Sequence, residues 1–267
     1  PVVAEAGSAS LLLEVGEVSV NHLWQTVSLT EPFTDPVVIA RPLSHNGRDP
    51  AVVRVRNVRA TGFDIRIQEW GYLDGSHTDE AVSFLVVERG HHILPDGTRM
   101  EAGSIDSSTT NAFDTLAFAR PFMVKPVVVT TVTTVNAPEG VTTRVRAVNT
   151  DGFQLGLREQ DADDQVHAVE TISCIAWEPS VGVLDGLAFE VARTANTVTE
   201  QAHTIPFQST FAQPPLLFAD MQTANSLDTA NLRWRNKTAS SVDIFVDEEQ
   251  SLDRETSHGP EEVGYLV

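Results

Sequence analysis

Short stretches of apolar and polar residues in strict alternation recur along this chain. Val53-Arg-Val-Arg-Asn-Val58 runs into a turn at Ala60-Thr61-Gly62, and Phe63-Asp-Ile-Arg-Ile-Gln68 runs back out of it. A period of two places Phe63, Ile65 and Ile67 on one face of a strand, and Gly62 is suited to the positive φ of a tight hairpin turn. A second copy of the pattern puts Phe153, Leu155 and Leu157 on one face. No window shows a convincing 3.6-residue period, and Pro and Gly interrupt the chain about every dozen residues. The expected class is all-β with very little helix.

Three other strands are apolar on both faces. Val82, Phe84 and Val86 face one way and Leu85 the other, while Ile175 and Leu266 are the matching opposite-face residues further along. Such a strand lies in the middle of a sandwich or at a contact between packed units. The second apolar face is expected to pack on neighbouring units, which makes the assembly compact.

Self-similarity defines those units. Phe33, Phe122 and Phe211 recur at intervals of 89 residues, each followed by Pro and an apolar strand. Arg54-Val-Arg56, Arg144-Val-Arg146 and Arg233-Trp-Arg235 follow, then Gly62-Phe63, Gly152-Phe153 and the divergent Ser241-Val242. Ile67-Gln-Glu69, Leu157-Arg-Glu159 and Val246-Asp-Glu248 close the hairpins. His77-x-x-Glu80, His167-x-x-Glu170 and His258-x-x-Glu261 then precede the closing strands. The order and spacing imply three tandem repeats, at 15–105, 106–196 and 197–267, with residues 1–6 either a strand that completes the third and closes a ring or the start of a slice cut from a longer array. The absence of an initiator Met before Pro1 suggests a segment of a longer polypeptide.

The motif order resembles the H-type lectin domain family, which includes snail agglutinins and the C-terminal domain of discoidins. It consists of an alternating strand, a Phe-x-x-Pro strand, an Arg-rich strand, a Thr-Gly-Phe turn, a Trp eight residues after that Gly, and a strand with an acidic residue. The resemblance covers each repeat, best in the first two, and implies a six-stranded antiparallel β-sandwich that assembles as a trimer. Three fused repeats would form a covalent, pseudo-threefold version of it. The resemblance further implies galactose or N-acetylgalactosamine binding near unit interfaces and an extracellular or cell-surface location. Trp70 matches the family Trp, whereas Gly71 stands where the family has His, and the family's sugar-binding Arg falls near Pro50. Gln160 and Glu249 hold the Trp position in the other repeats. The loop from Trp70 is longer than in the animal lectins, so Tyr72, Asp74 and His77 would be additional contacts.

Composition narrows the field of partners. The 267 residues are 41% hydrophobic and 21% charged, without an apolar run near the length of a membrane span. With 37 acidic and 18 basic residues the net charge is −19, which disfavours a phosphate backbone. Nucleic acid and membrane insertion are therefore not expected, whereas a glycan and further domains of the same polypeptide are. Only Lys125 and Lys237 are lysines, a bias that fits a high-salt source and codon usage equally well. One cysteine, Cys174, excludes an internal disulfide.

The candidate chemistry is that of binding. Trp24 and Phe113 share a repeat position and read as core, as do Trp177 and Trp234. Trp70 and Tyr72 sit in a Gly-flanked loop, where an exposed ring could stack on a sugar. Arg54 with Glu69, Arg144 with Glu159 and Arg233 with Glu248 lie near-opposite in their hairpins, as cross-strand ion pairs or as a ring of Arg and Glu that takes an anion or sugar hydroxyls. The three His-x-x-Glu elements suit strand-end hydrogen bonding, ligand contact or zinc. The expected glycan-contacting set is Trp70, Tyr72, Asp74, His77, Glu80, Arg54, His167, Glu170 and His258. No cofactor is required; Asp161, Asp163 and Asp164 offer hard oxygens that suit Ca2+, although without EF-hand spacing a solvated acidic loop is the better reading of them. There is no nucleophile elbow, zincin motif or phosphate loop, so an enzyme is not expected. A carbohydrate-binding module is the first expectation, and a non-catalytic structural or assembly module of an extracellular protein the second.

Overall fold

A computed structural model describes residues 11–226 and 228–267. The strand expected at residues 1–6 lies outside the described residues. All regular structure among the described residues is β, without helix.

The first third contains β1 (Leu13–Val20), β2 (Gln25–Ser28), β3 (Pro36–Ser44), β4 (Ala51–Arg59), β5 (Gly62–Glu69) and β6 (Glu80–Glu88). β6 lies between β1 and β3, and β5 lies between β2 and β4. A short strand β7 (Gly90–Ile93) leads into β8 (Arg99–Ser107), β9 (Asp114–Ala117), β10 (Val127–Val132), β11 (Thr142–Arg146), β12 (Gly152–Arg158) and β13 (Glu170–Trp177). Here β13 lies between β10 and β8, and β12 lies between β11 and β9. The last third has β14 (Ser180–Leu184), β15 (Leu187–Val198), β16 (His203–Pro206), β17 (Phe218–Met221), β18 (Ala230–Arg235), β19 (Ser241–Glu248) and β20 (Glu261–Leu266), with the same neighbours for β20 and β19. Parallel pairing of Leu43 with Arg233 and Ser44 with Trp234 joins β3 to β18, so strands of the first and last thirds share one sheet.

The boundaries expected at 105/106 and 196/197 fall inside β8 and β15. The antiparallel pairing of β8 with β13, and of β15 with β20 from Val191 to Val198 across two bulges, ties each of these strands to the residues that follow it. The closing strand β20 has β15 on one side and β17 on the other.

The period-two pattern divides side chains between four cores. Val38, Phe63, Ile65, Ile67 and Val86 fill the first third, Val128, Phe153, Leu155 and Leu157 the second, and Leu217, Val242, Ile244 and Tyr265 the last. The alternate residues of the same strands, Val37, Ile39, Leu85, Val127, Ile175, Phe218 and Leu266, meet in a fourth core drawn from all three thirds. Leu85, Ile175 and Leu266 are thus apolar on the second face because that face packs on other thirds.

Two local expectations are corrected. Trp24 and Phe113 are half-buried and lie outside the cores, because guanidinium groups roof them: Arg56 stands 3.9 Å over Trp24 and Arg146 3.8 Å over Phe113. The glycines of the hairpins are required by close approach more than by a turn. A Cβ at Gly62 or Gly152 would overlap the carbonyl oxygen of Val27 or Leu116 on the adjacent strand. Trp177 and Trp234 are buried as expected.

Candidate functional site

Each closing strand opens on a glutamate that is fully buried: Glu80, Glu170 and Glu261. Such a carboxylate needs partners for all its lone pairs, and each finds the same kinds. Glu80 accepts from the Ser44 hydroxyl, from the N–H groups of Asn46 (2.8 Å) and Gly47 (2.7 Å), and from His77 Nε2 (3.3 Å). Glu170 accepts from the Thr134 hydroxyl, Asn136 N–H (3.0 Å) and His167 Nε2 (3.2 Å). Glu261 accepts from the Thr223 hydroxyl, Asn225 N–H (2.9 Å) and His258 Nε2 (3.2 Å).

The remaining partner comes from another third each time. Arg54 reaches Glu170 (3.4 Å), Arg144 reaches Glu261 (2.8 Å) and Arg233 reaches Glu80 (2.8 Å). First grips second, second grips last and last grips first, so the links close on themselves. All six side chains are interior. The cross-strand pairs of Arg54 with Glu69, Arg144 with Glu159 and Arg233 with Glu248 are not formed. Strand register sets Arg54 opposite Arg66, Arg144 opposite Gly156 and Arg233 opposite Phe245. Glu69, Glu159 and Glu248 instead hold the Nδ1 atoms of His77 (3.0 Å), His167 (2.5 Å) and His258 (2.6 Å).

The proton affinities follow from these contacts. Burial works against charge on Glu80, Glu170 and Glu261 but is outweighed by the hydrogen bonds and the Arg partners, which hold Glu80 and Glu261 down at about 2 and Glu170 below its usual range. Burial likewise works against the imidazolium form of His77, His167 and His258, yet their paired carboxylates raise all three. Burial also pushes Arg54 down to about 10, with Glu170 opposing that change.

A raised histidine adds stability that is complete below its unfolded value of 6.5 and is lost as pH climbs through its folded value. The depressed glutamates add stability that is complete above 4.5 and is lost as pH falls through about 2. These groups support the fold most between about pH 4.5 and about pH 6.5. The melting temperature is therefore expected to fall as pH rises above about 6.5, and to fall less steeply in His258→Gln. Equal slopes in the two proteins would count against protonated histidines in the links.

Three equivalent loops, those after Glu69, Glu159 and Glu248, converge at one end of the molecule. Gln250 N–H donates to the Tyr72 hydroxyl (3.2 Å), Asp161 N–H to Glu249 (2.8 Å) and Ala162 N–H to the Ser251 hydroxyl (2.9 Å). Trp70 does not project from this end. It is 1% exposed, and its ring lies against Gly140 of the second third, where a Cβ would come within 3.0 Å of it. Arg54, His77, Glu80, His167, Glu170 and His258 are interior too, and apart from Arg54 Nε their polar groups are committed to protein partners. Tyr72 and Asp74 alone of the expected set lie at the surface, Tyr72 at 40% exposure.

The acidic candidates Asp161, Asp163 and Asp164 do not converge. Asp161 caps Thr229 N–H with both oxygens (3.2 Å), Asp164 turns back on Val166 N–H (2.9 Å) and Asp163 points to solvent. The ligand atoms that do converge among the described residues belong to Glu139, Glu159 and His167. Glu139 stands in no motif and is an exposed loop residue, so its role is invisible to spacing arguments.

Sequence reasoning also missed a buried pair at the centre. Arg41, Thr131 and Asp220 occupy one column of the repeat, and Arg41 meets Asp220 at 3.0 Å, both interior. Thr130 and Thr143 tie the pair in, at 2.7 Å to Asp220 and 2.6 Å to Arg41. A cavity of about 30 Å³ lies beside Arg41, Thr143 and Asn231. Opposite charges in one repeat column were the available signal.

No family model and no solved structure matches the chain. Among curated proteins it is similar to halomucin of Haloquadratum walsbyi, 33% identical over 255 residues. That alignment covers 91% of this chain but 3% of halomucin, so the chain spans a small fraction of the relative's length.

Proposed function

We propose that this chain is a non-catalytic structural module of a larger extracellular or cell-surface protein, built from three six-stranded β-sandwiches locked as a covalent, pseudo-threefold counterpart of an H-type lectin trimer. The observation that carries this reading is the closed set of buried Arg–Glu links between thirds. The residues of the repeated motifs are spent on holding the thirds together. The likeness to a protein named halomucin supports the extracellular setting, and the acidic, Lys-poor composition fits a salt-rich one. The Arg41–Asp220 pair fits fusion: one repeat column carries complementary residues, which three identical subunits could not do.

Glycan binding is the second reading, favoured by the half-exposed ring of Tyr72 beside exposed Asp74 where the three loops meet. Scanning calorimetry together with a glycan array separates the two. The module reading expects one cooperative unfolding transition and no glycan retention, with or without Ca2+. Several independent transitions would overturn the interlocked block. Retention by wild type that is lost in Tyr72→Ala would replace the first reading by the second.

A further inference from the structure

The three His–Glu pairs behind the links are not equivalent. In the first third the second oxygen of Glu69 accepts the N–H of Gly75 at 3.0 Å. In the second third the corresponding oxygen of Glu159 is buried with no partner, in a residue only 1% exposed. An unpaired carboxylate oxygen in the interior is costly unless something positive meets it. Beside it stands Glu139, from the loop between β10 and β11. Its carboxylate, that of Glu159 and a ring nitrogen of His167 lie within 4.8 Å of one another. The other repeats have Asp49 and Asp228 at the position of Glu139, each one methylene shorter.

We propose that Glu139, Glu159 and Nδ1 of His167 bind a divalent transition-metal cation of the Zn2+ class. Two carboxylates and an imidazole form a mixed oxygen and nitrogen set, which suits Zn2+ better than the all-oxygen preference of Ca2+. Binding displaces the Nδ1 proton to solvent, and the ring keeps its Nε2–H on Glu170. That contact orients the imidazole from behind, in the carboxylate–histidine–metal arrangement of known zinc sites. Charge balance favours the ion as well. Glu139, Glu159 and Glu170 supply three negative charges against one positive charge from Arg54, and a dication with a neutral imidazole brings the cluster to zero. The three protein ligands leave one tetrahedral position for water, on the side where Glu139 reaches solvent.

Titration calorimetry of the chelator-stripped full chain tests this with ZnCl2, and with CaCl2 as comparison. The expected result is one Zn2+ per chain, with affinity lowered about tenfold or more in Glu139→Gln. Glu139 is exposed, so that variant keeps its fold. A double variant of the partly exposed His91 and His92 to Gln controls for surface histidines and should bind as wild type does. Absence of Zn2+ binding, equal affinity in Glu139→Gln, or loss of binding in the His91/His92 variant would overturn the assignment. A rise in melting temperature with Zn2+ that is absent in Glu139→Gln is the second expected readout, and equal rises would count against it.

Discussion

Replacing Arg144 with Met is expected to lower stability by about 3–5 kcal/mol, the cost of leaving a buried charge without its partner. Arg144 is 1% exposed and Glu261 is fully buried, so water cannot take over the lost contact. Met fills much of the volume of the arginine stem, which confines the loss to the charge. Thr223, Asn225 and His258 still hold Glu261, but its contact with the neighbouring third is gone. Adding Glu261→Gln should recover part of the loss, because the amide no longer demands a cation. Urea unfolding of the two single variants and the double variant reads this coupling directly. A cost below about 1 kcal/mol, the range of exposed ion pairs, would show that the closed links are incidental to the assembly.

Trp70→Ala is expected to cost about 3–5 kcal/mol, as for other large-to-small aromatic changes in a core. The ring is buried between thirds against the backbone at Gly140, which cannot move to fill the space. Trp70→Phe should cost less, because it keeps most of the apolar contact and removes an indole N–H that is buried without a partner. Thermal unfolding of both variants checks the order. The opposite pattern, unchanged stability with loss of glycan retention, is the signature of a surface stacking ring and would return Trp70 to the binding role that its motif position implies.

How much was legible in the sequence depends on the range of the interaction. Alternation in Phe63-Asp-Ile-Arg-Ile-Gln determined strand, hairpin and inner face, because side-chain direction in a strand depends only on parity. The same parity marked Leu85, Ile175 and Leu266 as facing other units. The recurrence of His-x-x-Glu marked positions that serve one purpose three times, without revealing the purpose. Arg54 and Glu69 look like partners along the chain, but a register offset of a few residues is enough to separate them.

The rest was decided by contacts between residues far apart in the chain. Arg54 meets Glu170 and Arg41 meets Asp220 only after the thirds have packed, since neither pair shares a hairpin. Trp70 shows the same division. A Gly-flanked loop leaves its burial open, and the surface of Gly140 closes over it once the first and second thirds dock. By itself the sequence determined an all-β chain with two apolar faces per closing strand, since those properties follow from local periodicity. Which charges pair, which rings are covered and which carboxylate oxygen is left without a partner were decided by tertiary structure, because burial and the partner set of an ionised group belong to the packed interior alone.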